Sequence, residues 1–137
     1  CLEHEIAVVP YSPLGQGILT GSMAKGHTFR EGDSRKNTPL FAPENFERAL
    51  QVTEKVKEVA AKYHKTPAQT AIRWVAQTPG MTAPIVGARN RKQAEDNFGA
   101  AGWELAEEDM RILDEASRRF TDTLPRYRTL FDKTIEE

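Results

Sequence analysis

Two stretches of this chain carry residue types at spacings that could hold an anion. The first, Gly15-Gln16-Gly17-Ile18-Leu19-Thr20-Gly21, is close to the G-x-G-x-x-G pattern that cradles a dinucleotide pyrophosphate. Its last glycine falls one residue late. Ile18-Leu19-Thr20-Gly21 opens no convincing helix, so a pyrophosphate would lack the free N–H groups of a helix N-terminus. The doubly wound dinucleotide fold is therefore rejected. The second stretch is Gly87-Ala88-Arg89-Asn90-Arg91-Lys92-Gln93-Ala94-Glu95-Asp96-Asn97. Here Gly87 lets a backbone or ligand come close, and a helix is expected to start with Asn90 as its cap and Gln93 three positions on. Arg89, Arg91 and Lys92 crowd its first turn, where cations oppose the helix dipole. A bound phosphate would resolve that conflict. A solvated helix start with exposed charges accounts for it equally well, and these residues alone leave both readings open.

The elements that must position these stretches can be read from the pattern of apolar residues. Ile6-Ala7-Val8-Val9-Pro10 is short, continuous and β-branched, and it predicts a strand buried on both faces. Ala83-Pro84-Ile85-Val86 is a second run of the same kind, leading straight into Gly87. Residues Ser22 to about Pro43 are polar and rich in Gly, Pro and basic residues, which predicts a long functional or mobile loop. Phe46, Ala49, Leu50, Thr53, Val56, Val59, Ala60 and Tyr63 recur at spacings of three and four, one stripe of an amphipathic helix. Thr66-Pro67-Ala68-Gln69 combines a cap, a Pro at the first helical position and a capping-box Gln. Ala68, Ala71, Ile72 and Val75 form the inner face of that helix, with Trp74 beside it, and Pro79-Gly80 stops it. A last helix is expected from about Glu107 to Arg118, with Met110, Leu113 and Ala116 inward. Ala106 at its cap position cannot accept a hydrogen bond, so that end should be weaker by roughly 1 kcal/mol than with Ser or Asp. Strands separated by long helical crossovers imply parallel pairing and an α/β architecture. Two strands alone make a poor fold, and Cys1-Leu2-Glu3-His4-Glu5 reads as the end of a helix already under way. A piece of something larger is expected.

Composition narrows the function classes. The chain has 137 residues, with 19 Lys+Arg against 20 Asp+Glu and a formal charge of −1. No global field favours nucleic acid or an anionic membrane, so an anion site must be local. Arg126-Tyr127-Arg128 is a single basic-aromatic triplet in a neutral chain and reads as a solvated tail. Cys1 is the one cysteine; a reducing, cytoplasmic setting is the default expectation. No stretch approaches the roughly 20 apolar residues that span a bilayer. His4, His27 and His64 are far apart, with no metal-ligand or triad spacing.

Four segments carry a resemblance. They are Val9-Pro10-Tyr11-Ser12-Pro13-Leu14-Gly15-Gln16-Gly17-Ile18-Leu19-Thr20-Gly21; Asp33-Ser34-Arg35 with Pro39 and Phe41; Thr66-Pro67-Ala68-Gln69 with Ala71 and Trp74; and Pro84-Ile85-Val86-Gly87-Ala88-Arg89 with Gln93, Asp96 and Asn97. They are similar to successive motifs of aldo-keto reductases, in family order and spacing, from residue 1 to about 117.

The resemblance implies part of a (β/α)₈ TIM barrel, its C-terminal portion, with Ile6–Pro10 as the seventh strand and Ala83–Val86 as the eighth. Residues 1–120 would be barrel and 121–137 a tail that matches the family poorly. Phosphate sites of such barrels lie at the loops after these strands. The resemblance also implies NADP(H) as cofactor. Tyr11 would stack on the nicotinamide, and Ser12, Pro13, Leu14 and Gln16 would line the pyrophosphate path. Arg35 would fold over the cofactor. Gly87 would open the second loop, and Arg89 would pair with the 2′-phosphate, where a guanidinium fork suits a phosphate dianion. Gln93, Asp96 and Asn97 would hold the adenine end.

The match has departures. Many relatives carry a Lys after the glycine matching Gly21, where this chain has Ser22; Lys25 is a candidate substitute. Asp96 replaces a more usual Glu. The family's Tyr, Lys, Asp and His catalytic set matches nothing here, and neither Tyr63 nor Tyr127 stands at the proton-donor position. The expected function is therefore the cofactor side of an NADPH-dependent reductase of aldehydes and ketones, inactive alone. Its partners would be a small carbonyl substrate in the intact protein and either a second copy or a missing barrel half. The alternative is a non-catalytic regulatory module of the same fold, such as those that accompany potassium channels. A weaker third reading is an unrelated α/β interaction domain.

Overall fold

A computed structural model describes residues 1–124. Four α-helices dominate: α1, Pro43–Lys62; α2, Pro67–Gln77; α3, Arg91–Phe98; and α4, Glu107–Thr121. The expected stripe on α1 is the centre of the core. Phe46, Ala49, Thr53, Val56, Val59 and Ala60 are all buried, and α1 packs against both α2 and α4. One apolar cluster gathers Ile18, Met23, Leu40 and Phe41 around the first half of α1, with Phe120 of α4. A second joins Val56 and Val59 to Ala71 of α2 and to Leu105 and Leu113 at and before α4. Alternation of three and four residues puts both clusters on one continuous face, so a single helix organises the whole core.

The helix starts follow their sequence signals. Thr66 Oγ1 accepts from the Gln69 N–H at 3.1 Å, and Gln69 Oε1 accepts from the Thr66 N–H at 3.0 Å. Asn90 Oδ1 caps α3 by accepting from the Gln93 N–H at 2.9 Å. At α4, Ala106 supplies no side-chain cap, as expected. The structure fills that gap from another helix. The Ala106 N–H donates to Tyr63 Oη at 2.8 Å, and the Tyr63 hydroxyl donates to Asp109 Oδ2 at 2.6 Å. Asp109 is the third residue of α4, where a capping-box carboxylate would reach back to the cap itself. Here the phenol relays between them. Lys62 Nζ meets the other oxygen of Asp109 at 2.6 Å. Burial works to raise the Asp109 pKa, but the hydrogen bonds from Lys62 and Tyr63 outweigh it and hold the carboxyl below its ordinary value. The expected weakness of the α4 start is thereby offset.

One expectation is corrected. The apolar runs predicted as buried strands pair only through isolated parallel bridges, Val8 with Met81 and Tyr11 with Ile85. The Thr82 N–H donates to the Val8 carbonyl and the Ile85 N–H to the Pro10 carbonyl, both at 2.8 Å. The pairing begins before Ala83, at Met81, and Ile6, Val9 and Ile85 are more than half exposed. A β-branched run is buried by strands on its edges and helices on its faces. Among the described residues each run has only the other beside it. Parallel adjacency is thus present, and no continuous strand forms among residues 1–124. Residues 22–43, expected as a functional or mobile loop, are mostly irregular but packed: Met23, Leu40 and Phe41 are buried, and Phe29 meets Phe41 edge-on with centroids 4.9 Å apart.

The first five residues make a short 3₁₀ turn, Leu2–His4, closed by Glu5 in a left-handed conformation. Helix α4 runs through Thr121, so the expected boundary at 120 falls inside its last turn, and Leu124 packs on the core. The Arg126-Tyr127-Arg128 triplet lies outside the described residues.

Replacing Tyr63 by Phe removes both relayed bonds and leaves the Ala106 N–H without its acceptor. A loss of about 1–3 kcal/mol is expected, read from the urea midpoint at neutral pH. Because the folded pKa of Asp109 is depressed, its contribution is complete above the ordinary carboxylate value of about 3.9 and disappears as pH falls through the lowered one. The midpoints of the wild type and of Asp109→Asn should therefore converge in strong acid.

Candidate functional site

The two bridges run parallel, so both segments leave the pair at the same end. One continues from Tyr11 into Ser12–Gly21 and the other from Ile85 into Gly87–Asn97. The two candidate halves read from the sequence are thereby brought side by side. Ligands of parallel α/β folds collect at this carboxyl end of the strands.

The first half is a turn with unusual backbone. Ser12 and Gln16, neither of them glycine, have φ of 55° and 54°, and Gly15 and Gly17 flank Gln16 at 54° and 102°. A left-handed L-residue costs roughly 1–2 kcal/mol, so the surroundings must hold this shape. They do so from two sides. Thr53 Oγ1, fully buried on α1, donates to the Ile18 carbonyl at 3.1 Å. Arg35 Nη1 donates to the Gln16 carbonyl at 3.1 Å. Pro13 is buried and Leu14 packs on the second cluster. Gln16 Oε1 is a buried oxygen with no hydrogen-bond partner among the described residues. The stretch Gly15–Thr20 is kinked 3₁₀ and not an α-helix, which agrees with rejecting the doubly wound fingerprint.

Arg35 is itself gripped. Its Nε donates to Asp33 Oδ1 at 3.0 Å and its Nη2 to Asp33 Oδ2 at 2.7 Å. Asp33 Oδ1 also accepts from the Arg35 backbone N–H at 3.1 Å, capping the short helix Ser34–Asn37. The Phe29 ring lies 5.1 Å from the guanidinium carbon. Hydrogen bonds from Arg35, side chain first and backbone second, pull the Asp33 carboxyl down to about 2, with the charge of Arg89 contributing. That contribution to stability is complete above about pH 3.9 and is lost as pH falls through about 2.

In the second half, Gly87, Arg89 and Gln93 are exposed. Gln93 Oε1 accepts from the Arg89 N–H at 2.8 Å, and Asn97 Nδ2 donates to the Gly87 carbonyl at 3.2 Å. Both side chains brace the 87–90 turn. A Cβ at Gly87 would meet no atom within 4 Å, so the fold itself does not require glycine there. Asp96 is turned elsewhere: its Oδ1 accepts from Gln69 Nε2 at 3.0 Å and from Thr66 Oγ1 at 3.2 Å. Arg91 pairs with Glu95 one turn along at 2.6 Å, so one of the three crowded cations is satisfied within the helix. Among the described residues Arg89 makes no side-chain hydrogen bond or ion pair. Lys25 pairs with Glu47 at 3.0 Å, which commits it to α1 in this conformation.

Asp33 and Phe29 are the partners of Arg35 that the sequence reading missed. The signal was present in Asp33-Ser34-Arg35, where an Asp two residues before an Arg is spaced to cap a turn. No group of three or more His, Cys, Asp or Glu side chains among the described residues is placed to hold a metal ion. A groove of about 380 Å³ between α1 and α4 is lined by Arg48, Lys55, Phe120 and neighbours, and none of the candidate residues touches it.

Comparison with known proteins settles the family. The aldo/keto reductase family model matches residues 1–118. The chain belongs to the aldo-keto reductase family. It is 34% identical over 116 residues to a Schizosaccharomyces pombe aldo-keto reductase whose name specifies NADP(+), covering 85% of this chain and 34% of that protein. It is 37% identical over 118 residues to a probable aldo-keto reductase of Glycine max, covering 85% and 33%. Among solved structures, a glycerol dehydrogenase of Gluconobacter oxydans superposes with a TM-score of 0.80 at 30% identity, over 93% of this chain and 38% of that one. The chain thus spans about a third of the length of these curated relatives. No helix among the described residues is long and apolar enough to cross a membrane.

Two glycine substitutions separate the demands of fold and site. At Gly17, φ of 102° makes Ala strained whatever the space, and a loss of about 1–3 kcal/mol is expected in thermal unfolding. At Gly87, Ala should leave the melting temperature unchanged.

Proposed function

We propose that residues 1–120 form the cofactor-binding C-terminal part of a TIM-barrel aldo-keto reductase, and that the intact protein reduces aldehydes or ketones with NADPH. The observation that carries this reading is that two arginine-bearing segments, one through Gln16 and Arg35 and one through Gly87 and Arg89, leave the same end of a parallel pair. A dinucleotide diphosphate is long and carries charge at several points, so it is matched by cations on separate loops. The residues present fit such a ligand. Gly87 leaves open space, and the Arg89 guanidinium makes no hydrogen bond or ion pair among the described residues.

In this reading Tyr11, at the end of the first segment and more than half exposed, presents its ring to the nicotinamide. Ser12, Pro13, Leu14 and Gln16 line the diphosphate, Arg35 closes over it, and Arg89 receives the 2′-phosphate. Gln93 and Asn97 act by holding the turn that carries Arg89. Asp96 contributes through the α2–α3 contact, and its reach to the adenine end requires it to leave Gln69. When bound, NADPH supplies the hydride, and the proton comes from a tyrosine that these residues do not include. The 137 residues by themselves should then bind cofactor without turnover.

Fluorescence titration of Trp74 and Trp103 with NADPH and NADH tests the assignment. Arg89→Ala should weaken NADPH binding at least tenfold and leave NADH nearly unchanged, since only the former carries the 2′-phosphate. Equal loss for both cofactors would overturn the role given to Arg89. Gly87→Ala should weaken both without altering stability.

A further inference from the structure

We infer that Asp33 is a positioning residue for the cofactor site, holding Arg35 so that it locks the left-handed Gly15–Gly17 turn and still presents donors to an anion. The inference rests on the cofactor reading above and assigns a role that the charge of Asp33 alone contradicts. A carboxylate beside a site for a polyanion repels the ligand, so simple electrostatics makes Asp33 unfavourable there. Geometry gives the opposite sign. A guanidinium has five N–H donors in a fixed fork. Asp33 takes one from Nε at 3.0 Å and one from Nη2 at 2.7 Å. That bidentate grip fixes the plane of the fork and aims Nη1 at the Gln16 carbonyl, 3.1 Å away.

Three of the five donors are then committed, and one on Nη1 and one on Nη2 are left for a ligand. Phe29 supports the fork at 5.1 Å. Without the carboxylate the fork is free to rotate, and the Gln16 carbonyl loses a restraint at a residue whose φ of 54° needs one. Asp33 also stands within the field of Arg89.

The sign of the effect is the test. Asp33→Asn and Asp33→Ser both keep a side-chain oxygen able to cap the Ser34–Asn37 turn, yet neither can grip the guanidinium as a charged fork. Both should weaken NADPH binding about tenfold at fixed ionic strength. In an Arg35→Ala background the same changes should cause no further loss. Asp33→Glu should recover part of the affinity. A readout that needs no ligand is the Arg35 Nε–H resonance, which should exchange slowly in the wild type and vanish into fast exchange in Asp33→Asn. Unchanged or tighter NADPH binding by both capping variants, with the wild type binding normally, overturns the inference and spares the cofactor reading. Losses that add to that of Arg35→Ala also overturn it. Failure of the wild-type chain to bind NADPH at all overturns the cofactor reading, and this inference with it.

Discussion

A hydroxyl in the dry core connects scaffold to site. Thr53 lies in the middle of the α1 stripe with no exposure, and its Oγ1 donates to the Ile18 carbonyl while the Ala49 carbonyl lies within 3.3 Å. A polar atom so placed must be hydrogen-bonded or it costs several times what the bond contributes. The position of α1 therefore dictates where the chain at Ile18 can run, and with it the turn through Gln16 and Gly17. Every other restraint on that turn, including Arg35 from the opposite side, acts on a backbone already anchored at one point. The same helix carries Tyr63 at its end, which completes the start of α4. Helix α1 thus sets both the site turn and the helix that closes the core.

The charges fall into two kinds. Lys55 with Glu58 and Lys57 with Glu54 are helix-surface pairs, exposed and within one turn; pairs of this kind contribute little. The Asp33–Arg35 and Lys62–Asp109 pairs are different because each also satisfies backbone groups or a second side chain. Asp109 is 7% exposed and accepts from Lys62 and Tyr63 together. Asp33 accepts from both the side chain and the backbone of Arg35. Their shifted carboxyl groups record that geometry.

How much of this was legible in the sequence depended on range. Signals that act within four residues read correctly: the Thr66–Gln69 box and the Asn90 cap stand as expected because each contains both its donor and its acceptor, and the α1 stripe because its spacing alone defines a face. Signals completed from afar did not. Ala106 reads as a poor cap because the hydroxyl that serves it lies 43 positions earlier. Residues 22–43 read only as a functional or mobile loop because Met23, Leu40 and Phe41 are too sparse to make a period, although each one is buried in the core. The buried-strand expectation failed for the converse reason: β-branched composition reports what a segment needs and not whether the neighbours that bury it are at hand. The candidate site shows the same division. Arg89 was visible as a cation crowded at a helix start and Arg35 through the family motif, while Asp33, the carboxylate that grips Arg35, was read as part of a motif with no role of its own.

Asp96 shows how the two demands share one short helix. The substitution for a longer acid shortens its reach, and in this chain the carboxylate bonds Gln69 and Thr66 at the start of α2. Gly99 lets the chains approach there: a Cβ would stand 2.2 Å from Gln69 Nε2. The Asp96 side of α3 is thus committed to packing on α2. Its other side, with Gln93 and Asn97 bonded to the backbone at Arg89 and Gly87, is committed to the shape of the turn. A helix of eight residues is too short to hold itself in water, so both sets of contacts are needed for Arg89 to have a fixed place at all.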